Sequence, residues 1–87
     1  MASYKIQWKN SAKKELKKLD KQIILRILQA VEKLAENPYP LGSKKLIGSE
    51  FIYRIRVGDY RIIYNIQSSV LTIEIIRVGH RREVYRQ

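Results

Sequence analysis

The sequence predicts an α+β domain, read in the order β-α-α-β-β-β, with a helix hairpin on one face of a mainly antiparallel four-stranded sheet. Three observations carry that expectation. Phe51 to Tyr64, FIYRIRVGDYRIIY, is two alternating runs joined by Gly58-Asp59, the signature of a two-residue hairpin loop. Residues 20–35 carry a wide apolar stripe at helical spacing: Ile23, Ile24, Ile27, Leu28, Val31, Leu34 and Ala35. Asn37-Pro38 then stops that helix, because the residue before a proline avoids helical geometry.

The elements follow in order. Ser3 to Lys9 alternates, with Tyr4, Ile6 and Trp8 on one side and Lys5, Gln7 and Lys9 on the other, which reads as a half-buried first strand. Asn10 or Ser11 offers a helix cap, and Ala12, Leu16 and Leu19 follow at helical spacing opposite Lys13, Lys14, Lys17 and Lys18. Asp20 offers the cap of the second helix. Pro38 to Glu50, with two prolines, Gly42 and Gly48, reads as an irregular connection.

Counting outward from Gly58-Asp59 sets Val57 against Tyr60, Arg56 against Arg61, Ile55 against Ile62, Arg54 against Ile63 and Tyr53 against Tyr64. One face of the hairpin then collects Phe51, Tyr53, Ile55, Val57, Tyr60, Ile62, Tyr64 and Ile66, a core face. Ser68-Ser69 turns the chain into a last strand, about Val70 to Val78. Pairing Ile66 with Leu71 keeps apolar against apolar and sets Arg61 opposite Ile76 and Glu74 opposite Ile63. Val78-Gly79 ends that strand, so Gly79-His80-Arg81-Arg82 leaves near the Arg56–Arg61 end, and residues 82–87 have room for a short closing helical turn.

Eighty-seven residues make one small domain, 1–87. The absence of cysteine excludes a disulfide framework and thiolate metal sites. No stretch has the length of a membrane span or the apolar run of a signal peptide, so a cytoplasmic protein with no membrane partner is expected. The eight acidic residues do not cluster with the single histidine, which argues against a metal centre, and no Gly-rich phosphate loop is present. No cofactor is expected.

The net charge is +10, from 18 Lys and Arg against 8 Asp and Glu, and favours an anionic partner. The cations are sorted: all ten lysines lie at or before Lys45, and seven of eight arginines at or after Arg54. The early lysines suit solvated helix faces. The hairpin's second face places Arg56 opposite Arg61 with Arg54 beside them, although like charges directly opposed destabilise a sheet. Two explanations stand here. Long arginines splay into water, or the face is an anion site, most simply for phosphate, which the planar guanidinium fork fits. Lys44 and Lys45 are loop cations within reach of such a role.

Two motifs resemble a known family. Gly58-Asp59-Tyr60-Arg61-Ile62-Ile63-Tyr64 resembles the G-x-Y-R-hydrophobic-hydrophobic-Y strand of the RelE toxins, and Val78-Gly79-His80-Arg81-Arg82-Glu83-Val84-Tyr85 resembles their closing VG-[KH]-R…VY segment. The resemblance spans nearly the whole chain and points to the RelE branch of the RelE/ParE superfamily. It implies a toxin of a type II toxin–antitoxin pair that cuts mRNA in the A site of the 30S ribosomal subunit, without metal. The substrate's 2′-hydroxyl would be the nucleophile, with 2′,3′-cyclic phosphate and 5′-hydroxyl products. It also implies neutralisation by an acidic RelB-like antitoxin, with operator DNA engaged only through that antitoxin.

By position, the resemblance puts Arg61 and Arg81 on the scissile phosphate and Arg54 and Arg56 beside them as anion contacts. Lys44 and Lys45 are further substrate-binding candidates on their charge and loop position, outside the resemblance. Tyr85 would stack on a base or assist proton transfer. The chain departs from the family pattern at Arg54 and Arg56, where lysine is common; arginine does not give up its proton. That leaves His80, the only histidine, as a candidate acid or base beside Tyr85. Two other readings share these residues: a ParE-like, non-enzymatic gyrase inhibitor, and a basic RNA-binding module that neutralises phosphates without chemistry.

Overall fold

Alternation and helical spacing are realised element by element in the computed structural model, which describes residues 3–80. The strands are β1 (Lys5–Trp8), β2 (Lys44–Lys45), β3 (Ile52–Val57), β4 (Tyr60–Gln67) and β5 (Thr72–His80). The helices are α1 (Asn10–Lys17) and α2 (Lys21–Glu36). Among the described residues the sheet has five strands rather than four, in the order β1-β5-β4-β3-β2. It is mixed: β1 runs parallel to β5, and the other pairings are antiparallel. The extra strand is β2, two residues inside the segment expected to be irregular. A two-residue strand is too short to show alternation, so its pairing is visible only in three dimensions.

The helices share one face of the sheet. Ala12 and Leu16 of α1 and Ile27, Val31 and Leu34 of α2 are buried with Ile55, Ile62, Tyr64, Ile66, Ile73, Ile75 and Val78 in one core. Tyr4, Ile6, Trp8, Ile23, Ile24 and Leu28 pack against its margin. Phe51, expected on the core face, is 60% exposed, because it precedes β3 and lies beyond the reach of the helices. Asp20 and Asn37 bracket α2 as cap positions, although Asp20 caps by backbone geometry and makes no side-chain bond. α1 begins one residue early, with Lys9 as its cap. None of the described helices is long and apolar enough to cross a membrane.

The β3–β4 hairpin has the expected register throughout, from Val57↔Tyr60 to Tyr53↔Tyr64. Gly58 has φ +61 and Asp59 does not adopt positive φ, the pattern of a turn with glycine at its first central position.

The β4–β5 register differs from the expected one. Ile66 pairs with Ile73 and Tyr64 with Ile75, two residues further along β5 than the sequence pattern indicated. A two-residue slip leaves every side chain on its own face, so alternation does not detect it. The slip follows from the turn. A 3-10 segment, Ser68–Val70, is closed by Leu71 in the left-handed conformation (φ 47), which starts the strand at Thr72. A bulge between Ile63 and Tyr64 then makes Ile76 the extra residue of β5 and shifts the rest of the pairing. Ile62 therefore faces Val78 and Arg61 faces Gly79, not Ile76. Glu74 faces Asn65, not Ile63. Gly79 does not end the strand, which runs to His80. The expected closing turn at 82–87 lies outside the described residues.

Tyr64 ties the connection after α2 to the sheet. It is fully buried and donates its hydroxyl proton to the carbonyl of Pro38 at 2.8 Å. Burial pushes its phenol up to about 12, against a smaller opposing hydrogen bond from the Ser43 side chain. Tyr53 stacks on it with ring centroids 6.3 Å apart, and Tyr39 meets Tyr53 edge-on at 5.2 Å. Three tyrosines thus anchor the segment that delivers β2 to the edge of β3.

Candidate phosphate site on the open face of the hairpin

The pairing of β2 with β3 sets the site. Lys44 pairs with Arg54 and Lys45 with Tyr53. Opposed residues share a face, so Lys44 joins Arg54, while Lys45 belongs to the side of Tyr53. The hairpin register adds Arg56 directly opposite Arg61. The result is a pocket of about 170 Å³ lined by Gly42, Lys44, Arg54, Ile55, Arg56 and Arg61. None of its described lining residues is acidic.

The four cations are held at different depths. Arg54 and Arg61 are half-buried, and Nη1 of Arg61 is closed off from solvent. Arg56 and Lys44 are exposed. Arg56 donates Nε–H to the carbonyl of Gly58 at 3.2 Å, using one of its five donors to fix its stem across the turn. Beside Arg61 on β5 stands Gly79, so no opposed side chain crowds the guanidinium. Ile63, an apolar member of this face, is only 7% exposed. Like charges brought together in this way repel, and an anion that enters the pocket relieves the repulsion.

The other sequence candidates fall elsewhere. His80 pairs with Tyr60, and their rings meet edge-on at 5.8 Å. Tyr60 belongs to the helix-covered face, so the structure does not bring His80 to the arginine pocket. The bulge at Ile76 is the physical reason: it changes which residues of β5 share a face with β4. His80 instead lines a second pocket at the edge of β5, with Glu15, Lys18, Leu19, Tyr60, Arg77, Val78 and Gly79. Lys45 is separated from Lys44 by strand alternation. Arg81 and Tyr85 lie outside the described residues. Among the described residues, no three His, Asp or Glu side chains come together as metal ligands.

Sequence reading missed Gly42 and the pairing that raises Lys44 above the other loop lysines. It also missed Glu15, whose Oε1 accepts the Val78 N–H at 2.9 Å and whose Oε2 lies 3.5 Å from Arg77 Nη2. The spacing of Glu15 and Arg77, 62 residues apart in the chain, gives no local signal.

The family model for the ParE toxin of type II toxin–antitoxin systems matches residues 6–85. This chain belongs to the RelE/ParE toxin superfamily. Within it, the chain is RelE-like. It is 30% identical over 88 residues to the toxin RelG of Mycobacterium tuberculosis strain H37Rv, covering 97% of this chain and 98% of that protein. Its fold matches the archaeal RelE–RelB complex from Pyrococcus horikoshii with a TM-score of 0.82 and 29% identity, over 93% of this chain and 98% of that one. It also matches the toxin–antitoxin complex RelBE2 from Mycobacterium tuberculosis, again with a TM-score of 0.82, at 27% identity over 95% of this chain and 97% of that one.

Proposed function

We propose that this RelE-like toxin is an endoribonuclease that cuts mRNA in the ribosomal A site and so stops translation. The observation that carries the reading is the juxtaposition of Lys44, Arg54, Arg56 and Arg61 around one small pocket without a described acidic lining residue. In the cut, the ribose 2′-oxygen bonds to phosphorus and the bond from phosphorus to the 5′-oxygen breaks. The products are a 2′,3′-cyclic phosphate and a 5′-hydroxyl. Negative charge grows on the non-bridging oxygens as phosphorus becomes five-coordinate, and fixed cations stabilise it. Arg61, whose Nη1 is closed off from solvent, is assigned to those oxygens, and Lys44, Arg54 and Arg56 to the phosphate and its neighbours. Arg81 is assigned as the second cation on the scissile phosphate, and Tyr85 to proton transfer or base stacking. His80 is not assigned to the reaction, because its ring packs on Tyr60.

The size of the pocket supports a role for the ribosome. A volume of about 170 Å³ is below the roughly 300–1,000 Å³ of sites that enclose a small molecule. It suits a phosphodiester group and does not hold a nucleotide in a set geometry. Positioning of the substrate then comes from the A site, and orientation of that kind is a large part of the rate. An acidic RelB-like antitoxin fits the net charge of +10. Exposed Leu25, Ile47, Phe51 and Val70 offer it apolar contacts.

The test is a map of new mRNA ends by primer extension in a translating extract, with and without ribosomes. Cuts within codons that require ribosomes support the reading. The matching family model describes a ParE toxin, which favours one alternative: growth arrest with intact mRNA would point to gyrase, and the arginine face would then be a docking surface.

A further inference from the structure

The phosphate pocket is not isolated. Beyond Arg54, the outer edge of β3 has no strand partner among the described residues, because β2 pairs only with Tyr53 and Arg54. On the helix side of that open edge lies a second cavity of about 340 Å³. Gly42, Ile55 and Arg56 line both cavities. Ala30, Pro40, Leu41 and Val57 supply the apolar lining of the second, and Arg26 and Lys33 of α2 beside Arg56 its basic lining. Leu41 is fully exposed. Arg26 and Lys33 are exposed too, and seven residues apart they lie on one helix face about 10 Å from each other along the axis.

Charge also marks where this groove ends. The next pocket along α2 is lined by Glu32 and Glu36, with Lys33 on the boundary. A polyanion entering from the arginine pocket therefore meets cations as far as Lys33 and then carboxylates. Cations spaced along an apolar trough, continuous with a phosphate pocket, offer a single-stranded polynucleotide charges that track its backbone and, in place of an aromatic platform, an aliphatic surface for a base to pack against.

We propose that this groove carries the single-stranded RNA flanking the scissile phosphate around the open edge of β3. Arg26 and Lys33 contact its backbone, and Pro40, Leu41 and Val57 support a base. The proposal rests on the RNA-cleavage reading and extends it to residues of α2 that neither motif contains.

The experiment compares binding of a non-cleavable 2′-O-methyl hexanucleotide and a 2′-O-methyl dinucleotide by fluorescence anisotropy, across salt concentrations. The wild-type chain should bind the hexanucleotide more tightly. Arg26→Ala with Lys33→Ala should lower hexanucleotide affinity about tenfold and leave the dinucleotide unaffected. The salt slope for the hexanucleotide should fall by about 1.4, at about 0.7 for each phosphate no longer neutralised. Lys13→Ala with Lys14→Ala, on exposed positions of α1, removes the same charge and should change neither. Unchanged hexanucleotide affinity in the α2 variant, or no gain from length in the wild type, would overturn the groove. So would a variant that keeps RNA binding and loses binding of an acidic peptide, which would assign the groove to an antitoxin. Arg61→Ala separates the two levels: if it leaves both oligonucleotides bound as before, the phosphate pocket itself is refuted.

Discussion

Two basic pockets flank the end of this sheet, and they differ in what accompanies the cations. At the β5 edge, Arg77 stands 3.5 Å from the Glu15 carboxylate, which also accepts the Val78 N–H. That carboxylate takes the place of a strand: β1 pairs with β5 only from Thr72 to Ile75, and α1 lies along the rest. On the open face of the hairpin, Lys44, Arg54, Arg56 and Arg61 surround a pocket with no described acidic lining residue. The first arrangement completes a fold. The second gathers four cations around one pocket, the arrangement that an anion would favour. Sequence composition counts both sets of cations equally; their place in the fold separates them.

Substitutions can break that comparison from either side. The largest effect is expected on the open face. Arg54→Ala and Arg56→Ala, singly, should each slow cleavage of ribosome-bound mRNA by roughly 10–100-fold in single-turnover assays, about 1.4–2.7 kcal/mol of transition-state stabilisation. Thermal midpoints should stay near wild type, since removal of a like-charge neighbour offsets the loss of each arginine's own contacts, such as that of Arg56 to the Gly58 carbonyl. A loss of folding in step with activity would mean that these arginines are structural.

The support beneath the pocket comes next. Tyr64→Phe removes the bond to the Pro38 carbonyl and should cost on the order of 1–2 kcal/mol in urea unfolding. It should also change the alkaline response. The folded value, about 12, lies above the unfolded 10.0. The neutral phenol's contribution is therefore complete below about pH 10 and is lost as pH rises through about 12, on the order of 2–3 kcal/mol in all. Unfolding curves at pH 8, 10 and 11.5 should show a steeper fall for wild type than for Tyr64→Phe; parallel falls would contradict this role.

At the β5 edge, Glu15→Ala should cost about 1–2 kcal/mol, mainly through the Val78 N–H left without its acceptor. The ion pair with Arg77, with both side chains 30% exposed, adds little. Cleavage should be unaffected once the protein is folded. The smallest effect is expected at Leu71, where a left-handed φ of 47 suits glycine better than leucine. Leu71→Gly should raise stability by up to about 1 kcal/mol in urea unfolding, offset in part by greater freedom of the unfolded chain.

The hairpin was legible to the residue, because Gly58-Asp59 fixes the register and alternation fixes the faces. The arginine cluster followed from the same counting. The helices were legible from their apolar stripes and from Asn37-Pro38. What stayed hidden lacks a periodic signature. A slip of two residues on β5 conserves every face, and a bulge at Ile76 is one apolar residue in an apolar run. Two lysines do not announce a strand. Those features decide that Lys44 joins the pocket and that His80 faces Tyr60 instead. The shared edge between the two grooves, at Gly42 and Arg56, exists only once β2 is known to begin at Lys44.

The most direct test of the central claim sets Arg61→Ala against Arg77→Ala, two substitutions of equal charge on neighbouring strands. The readout is the single-turnover rate of cutting on ribosomes programmed with one mRNA. Arg61→Ala should lower the rate at least about 100-fold, as removal of a donor to a developing anion does. Arg77→Ala should stay within about twofold, since a solvent-accessible ion pair at the sheet edge contributes little. Equal losses would mean that the cations act only through net charge, and a larger loss at Arg77 would move the site to the β5 edge.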